Sequence, residues 1–96
     1  MIHPKIAPVV RRAILDLILD VGGEINDDTV TILLNELGHR VGGPDVVEEL
    51  RWLAGYDLLK LQEYPALTVV SSTSAGRAAA AGTMTFKGVS RHKTGE

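Results

Sequence analysis

The stretch NDDTVTILLNELGHRVGGPDVVEELRWLAGYDL, from Asn26 to Leu58, reads as two short helices joined by a tight turn at Gly38-His39-Arg40-Val41-Gly42-Gly43-Pro44. Asn26 is a good N-cap for the first of them, and Asp27 and Asp28 lie in its first turn, where carboxylates complement the helix dipole. Val30, Leu33, Leu34 and Leu37 form its inward stripe, and Ile32 falls off that stripe as an isolated surface apolar residue. The second helix starts with Gly42 or Gly43 as N-cap and Pro44 in its first turn, and stops near Gly55. Val46, Leu50, Leu53 and Ala54 face its core side with Val47 at the margin. Pro44, Asp45, Glu48, Arg51 and Trp52 point outward.

Downstream, Leu58 to Tyr64 and Leu67 to Ser72 show the period of two expected of half-buried strands. Their connection around Tyr64-Pro65-Ala66 lacks Asn-Gly or Asp-Gly, so it is longer than a two-residue turn. Thr73 then caps a short helix, Ser74 to Ala81, that packs closely through its alanines. Upstream, a helix from Pro8 to Val21 ends at Gly22-Gly23. Its stripe of Val10, Ile14, Leu17, Ile18 and Val21 is widened by Leu15 and Leu19 beyond what one core contact needs. This surplus face is expected to form a homodimer interface, two-fold symmetry being the commonest oligomeric solution. Three helices, a two-stranded wing and a short C-terminal helix make an α+β winged helix-turn-helix.

The 96 residues, 45% of them apolar, support one small core, and residues 1–82 hold it. No cysteine is present, which removes disulfides, thiolate metal sites and a thiol nucleophile. Neither a leader sequence nor an apolar run of about 20 residues is evident, so a soluble cytoplasmic protein with no membrane partner is expected. The net charge of −2 is unevenly placed. Residues 1–82 carry seven Lys and Arg against eleven Asp and Glu, whereas residues 83–96 carry three against one. Beyond Gly82 no apolar period continues, so 83–96 is expected to be a flexible basic tail.

Ingredients of catalysis are missing. His3, His39 and His92 are scattered without metal-ligand spacing, and each reads as a surface residue. Glu48 and Glu49 point about 100° apart on a helix, which suits a solvated acidic face better than a carboxylate pair. The serines lack a nucleophile elbow, and the glycines do not build a phosphate loop. Neither enzymatic activity nor a metal or other cofactor is expected.

The Gly38-His39-Arg40-Val41 turn with Val46 or Val47, Leu50, Trp52-Leu53 and Leu58 downstream resembles a family of small winged-helix proteins of Mu-like transposable phages and prophages, described as ArsR-like. The resemblance extends through Thr73-x-x-Gly76 to the tail, where Lys87-Gly88-Val89 with Arg91 and Lys93 is similar to the family's basic ending. It implies the winged-helix fold and a phage context. Where the family places Ser-Arg-Asp-Gln before its third helix, this chain has Gly42-Gly43-Pro44-Asp45.

The expected partner is double-stranded DNA. Asp45, Glu48, Arg51 and Trp52 lie on the helix that would enter the major groove, Arg40 in the turn and Lys60 on the wing reach phosphates, and Lys87, Arg91 and Lys93 in the tail add to them. The alternative is a protein-interaction module in which Trp52 and Tyr56 anchor a phage or host protein in an acidic surround.

Overall fold

The structure, a computed structural model, describes residues 2–91. Helix α1 spans Ala7–Val21, α2 Asp27–Glu36, α3 Gly43–Gly55 and α4 Ser74–Ala81; strands β1 Ile25–Asn26, β2 Leu59–Glu63 and β3 Thr68–Ser72 form one antiparallel sheet in the order β1-β3-β2. Four helices with a three-stranded antiparallel sheet make an α+β architecture compatible with a small winged-helix-like fold.

Local chemistry accounts for the helix ends. Pro8 sits in the first turn of α1, and Gly22, at φ 75°, closes that helix in the left-handed conformation while its N–H donates to the Ile18 carbonyl. The Asn26 side chain accepts from the Thr29 N–H at 2.9 Å. Asp27, one residue on, turns its carboxylate outward from the helix and accepts the Thr68 N–H at 2.9 Å, tying the start of α2 to β3. Gly42 caps α3 with extended backbone, and Pro44 occupies its first turn.

The hairpin has the longer connection that its turn residues require. Glu63 pairs with Thr68, and the Tyr64 N–H donates to the Leu67 carbonyl at 2.8 Å. Register places Leu61 opposite Val70, so Leu59, Leu61, Thr68 and Val70 share the core face, and Leu67 and Val69 are left half-buried on the other side. The wing has a third strand: β1 adds Ile25 opposite Val70 and Asn26 opposite Val69. Two residues are too few to show alternation, which is why β1 has no signature in the sequence.

The apolar core joins Val10, Ile14, Leu15 and Ile18 of α1 to Val30 and Leu34 of α2, Val46, Leu50 and Leu53 of α3, and Leu58, Leu59 and Val70 of the hairpin. Leu37, expected inside, is 62% exposed at the end of α2, where the chain turns away, and Ile32 stands out from the surface as expected. The wide apolar face of α1 is answered within the chain. Helix α4 lies along it, its Ala79 and Ala80 buried there, so Leu15 is fully buried and Leu19 packs against the core. Leu15 is thus used inside the fold, where burying a leucine is worth about 2 kcal/mol, and Leu19 is left half-buried.

Two polar devices hold α4 in place. Arg12 of α1 is buried and reaches the C-terminal end of α4, where Nη1 donates to the Ala79 carbonyl at 2.7 Å and Nη2 donates to the Ala80 carbonyl. Helix α4 carries no basic residue in its own last turn, so this guanidinium supplies the cation that complements the dipole. Asp16, one turn along α1, balances the charge at 2.9 Å. At the other end, the Thr73 hydroxyl accepts the Gly76 N–H and donates to the carbonyl of Asp57, which itself sits at φ 61° after α3. Gly76 is pressed so closely on the hairpin's entrance that a Cβ there would lie 1.9 Å from the Leu58 carbonyl oxygen. The Thr73-x-x-Gly76 motif is thus a cap combined with a close backbone contact.

Because the obstructing atom is backbone, Gly76→Ala displaces either α4 or the start of β2. We expect it to destabilise the fold by about 3 kcal/mol. Chemical denaturation followed by circular dichroism measures this, and an unchanged midpoint contradicts the close packing.

Candidate nucleic-acid interface

Helix α3 divides into three faces. Val46, Leu50 and Leu53 are buried in the core. A second face, carrying Glu49, Trp52 and Tyr56, turns toward α1 and the segment after α4. The third holds Pro44, Glu48, Arg51 and Gly55, all exposed to solvent. Glu48 and Arg51, expected on the groove-facing side, lie on this last stripe.

On the second face Glu49, expected to be solvated, is not, whereas Tyr56 stays 54% exposed. Glu49 is buried, its Oε1 accepting from Nε of Arg11 at 2.5 Å. The same guanidinium lies 3.7 Å above the centre of the Trp52 ring and donates from Nη1 to the Gly88 carbonyl at 3.0 Å. Trp52 is half-buried, with Tyr56 at 4.7 Å and Phe86 at 6.1 Å between ring centroids, the latter edge-on. Gly88, at φ 95°, lies against the indole, where a Cβ would fall 2.7 Å from the ring. Trp52 is therefore partly covered by the tail and by Arg11.

The described part of the tail, 83–91, accordingly departs from the flexible segment expected. Met84, Phe86 and Val89 pack on the core, and the Ser90 N–H donates to the Pro8 carbonyl. Three apolar residues spaced two and three apart match neither a helix nor a strand period, so their docking is invisible to pattern. Lys87 and Arg91 remain exposed on the docked tail. Lys93 and His92 lie outside the described residues.

On the outward stripe the electrostatics are mixed. Arg51 does not stand free: Nε and Nη2 donate to one oxygen of Glu63, at the end of β2, at 3.2 and 2.6 Å. That carboxylate, by hydrogen bond and then by charge, holds the Arg51 guanidinium's pKa above its ordinary value. Glu48 is exposed beside it, and Asp45 is half-buried near the turn. Arg40 is exposed in the α2–α3 turn, beside His3 and His39 at the rim of an apolar cleft floored by Ile2, Val10 and Val41. Lys60 is exposed on β2. The structure thus brings Arg51 to the hairpin through Glu63, keeps Arg40 and Lys60 accessible, buries Leu15 and leaves Trp52 and Leu19 half-buried.

Arg11, Arg12 and Phe86 went unnoticed in the sequence, and Glu49 was read as solvated. The one signal there was the adjacent Arg11-Arg12 pair on a helix otherwise apolar on most sides. Among the described residues, no three His, Asp or Glu side chains gather as metal ligands would, and no helix is long and apolar enough to cross a membrane. Comparison with known protein families finds no match, and comparison with curated proteins finds none either.

Since Trp52 is the sole tryptophan, its fluorescence reports tail docking directly. Phe86→Ala is expected to red-shift and weaken the shielding of that emission and to lower stability by about 3 kcal/mol, as large-to-small changes at packed aromatic sites do. Quencher access to Trp52 equal to that of the unaltered protein contradicts the docked tail.

Proposed function

We propose that this chain is a winged-helix protein, of the kind found in Mu-like phages and prophages, that binds double-stranded DNA chiefly through phosphate contacts. The observation that carries the reading is the placing of a tight turn, an exposed helix stripe and a hairpin side by side. Arg40 lies at the turn before α3, Lys60 lies on the hairpin, and Arg51 and Glu63 clip the hairpin to α3 between them. This is the layout in which a second helix approaches the major groove while flanking groups take the backbone. Lys87 and Arg91 extend the cationic set along the docked tail.

Base reading is a small part of this mode. The outward stripe of α3 offers Glu48, which can accept from a cytosine amino group, and an arginine already engaged. About four phosphate contacts give modest affinity and a steep dependence on salt, with a logarithmic slope of about −3 to −4. Regulation or another accessory role in DNA handling suits such a module. The homodimer expected from Leu15 and Leu19 is not part of the proposal, since both side chains are used inside the fold.

One observation favours the second reading, a protein-interaction module: Glu48, Asp45 and Glu63 leave the α3 face without excess positive charge. Duplex binding by fluorescence anisotropy across a salt series separates the two. An Arg40→Ala, Lys60→Ala double variant is expected to bind about tenfold more weakly at low salt, with a slope shallower by about 2 and an unchanged thermal midpoint, as both residues are exposed. Unchanged binding contradicts the docking face. Absence of binding by the unaltered protein at low salt favours the protein-binding reading.

A further inference from the structure

Two Arg–Glu pairs join α3 to the rest of the fold, and they differ in kind. The Arg11–Glu49 side chains are 15% and 6% exposed, and Arg11 is further held by an indole face and a carbonyl, so that pair is structural. The Arg51–Glu63 side chains are 62% and 47% exposed, with two N–H groups converging on a single carboxylate oxygen. A pair this open to water is held weakly and exchanges partners readily.

Its position matters as much as its exposure. Arg51 belongs to the outward stripe of α3, and Glu63 ends β2, where pairing with Thr68 fixes it at the base of the hairpin turn. The Glu63 backbone is thus fixed, and its side chain reaches the guanidinium at the junction of helix and hairpin where a DNA backbone passes in the docking proposed above. Carboxylate and phosphate oxygens make the same charge-assisted bonds to a guanidinium.

We infer that Glu63 is an internal stand-in for a DNA phosphate, occupying Arg51 until the backbone of a duplex displaces it. This rests on the DNA-binding reading. Its consequence is a built-in threshold: an isolated anion gains little by displacing Glu63, because one contact is exchanged for another, whereas a duplex also engages Arg40 and Lys60 and so completes the exchange. Glu63 sets affinity without touching a base.

The test is a double-mutant cycle on duplex binding, measured by anisotropy across a salt series with thermal midpoints as the folding control. Glu63→Gln is expected to tighten binding about five- to tenfold at low salt and to steepen the slope by about 1, one phosphate contact being added at full strength. Arg51→Ala alone is expected to change affinity less than about twofold, and adding it to E63Q is expected to abolish the gain. A gain that persists in the R51A/E63Q protein is a general effect of removing negative charge and overturns the inference, as does E63Q binding equal to that of the unaltered protein. If neither the unaltered protein nor E63Q binds at low salt, the DNA reading falls and takes the inference with it.

Discussion

The guanidinium of Arg11 is the point on which the arrangement of this protein turns. It donates to Glu49 on α3, covers the Trp52 ring and donates to the Gly88 carbonyl across the fold. One planar cation therefore joins the first helix, the third helix and the segment after the fourth. Burying such a group is costly unless its charge and its N–H donors are all answered, and losing one partner of a buried pair costs about 3–5 kcal/mol. Here a carboxylate, a carbonyl and an aromatic face answer it together. Among the described residues no buried side-chain nitrogen or oxygen lacks a partner.

That anchorage decides which part of α3 faces outward. With Glu49, Trp52 and Tyr56 turned toward α1 and the tail, the helix presents Pro44, Glu48, Arg51 and Gly55, a narrower and less acidic surface than its composition suggests. Adjacent Arg12 works in the opposite direction around α1, drawing in α4 by its terminal carbonyls. Two neighbouring arginines, separated by about 100° of helix, thus close the fold on both sides. Both charges are used inside the fold.

Features governed by near neighbours were legible in the sequence. The Asn26 and Thr73 caps, the left-handed Gly22, the glycine and proline that open α3, and the hairpin all depend on residues within a few positions of one another. What escaped depends on distant partners. Leu15 and Leu19 looked like surplus because α4, which packs along α1, lies far along the chain, and its small side chains announce no packing face of their own. Glu49 looked solvated because nothing near it in sequence is its partner; Arg11 is 38 residues away. Strand β1 was too short to alternate, and the tail's Met84, Phe86 and Val89 follow no period. At the proposed interface, the basic residues could be listed from the sequence, but the capture of Arg51 by Glu63 required the hairpin's register.

The spans of these bonds carry a consequence for how the chain acquires its structure. Arg12 meets Ala79 and Ala80 across 67 and 68 residues, and Arg11 meets Gly88 across 77. Non-local closures of this kind demand the loop entropy of nearly the whole chain before they return any stabilisation, which slows folding and makes it more cooperative. As the polypeptide emerges during synthesis, α1 arrives first with Leu15 and Leu19 uncovered, and it stays an unfinished apolar surface until α4 and the segment behind it have appeared. A nascent chain interrupted before α4 therefore carries an exposed apolar patch that marks it as incomplete.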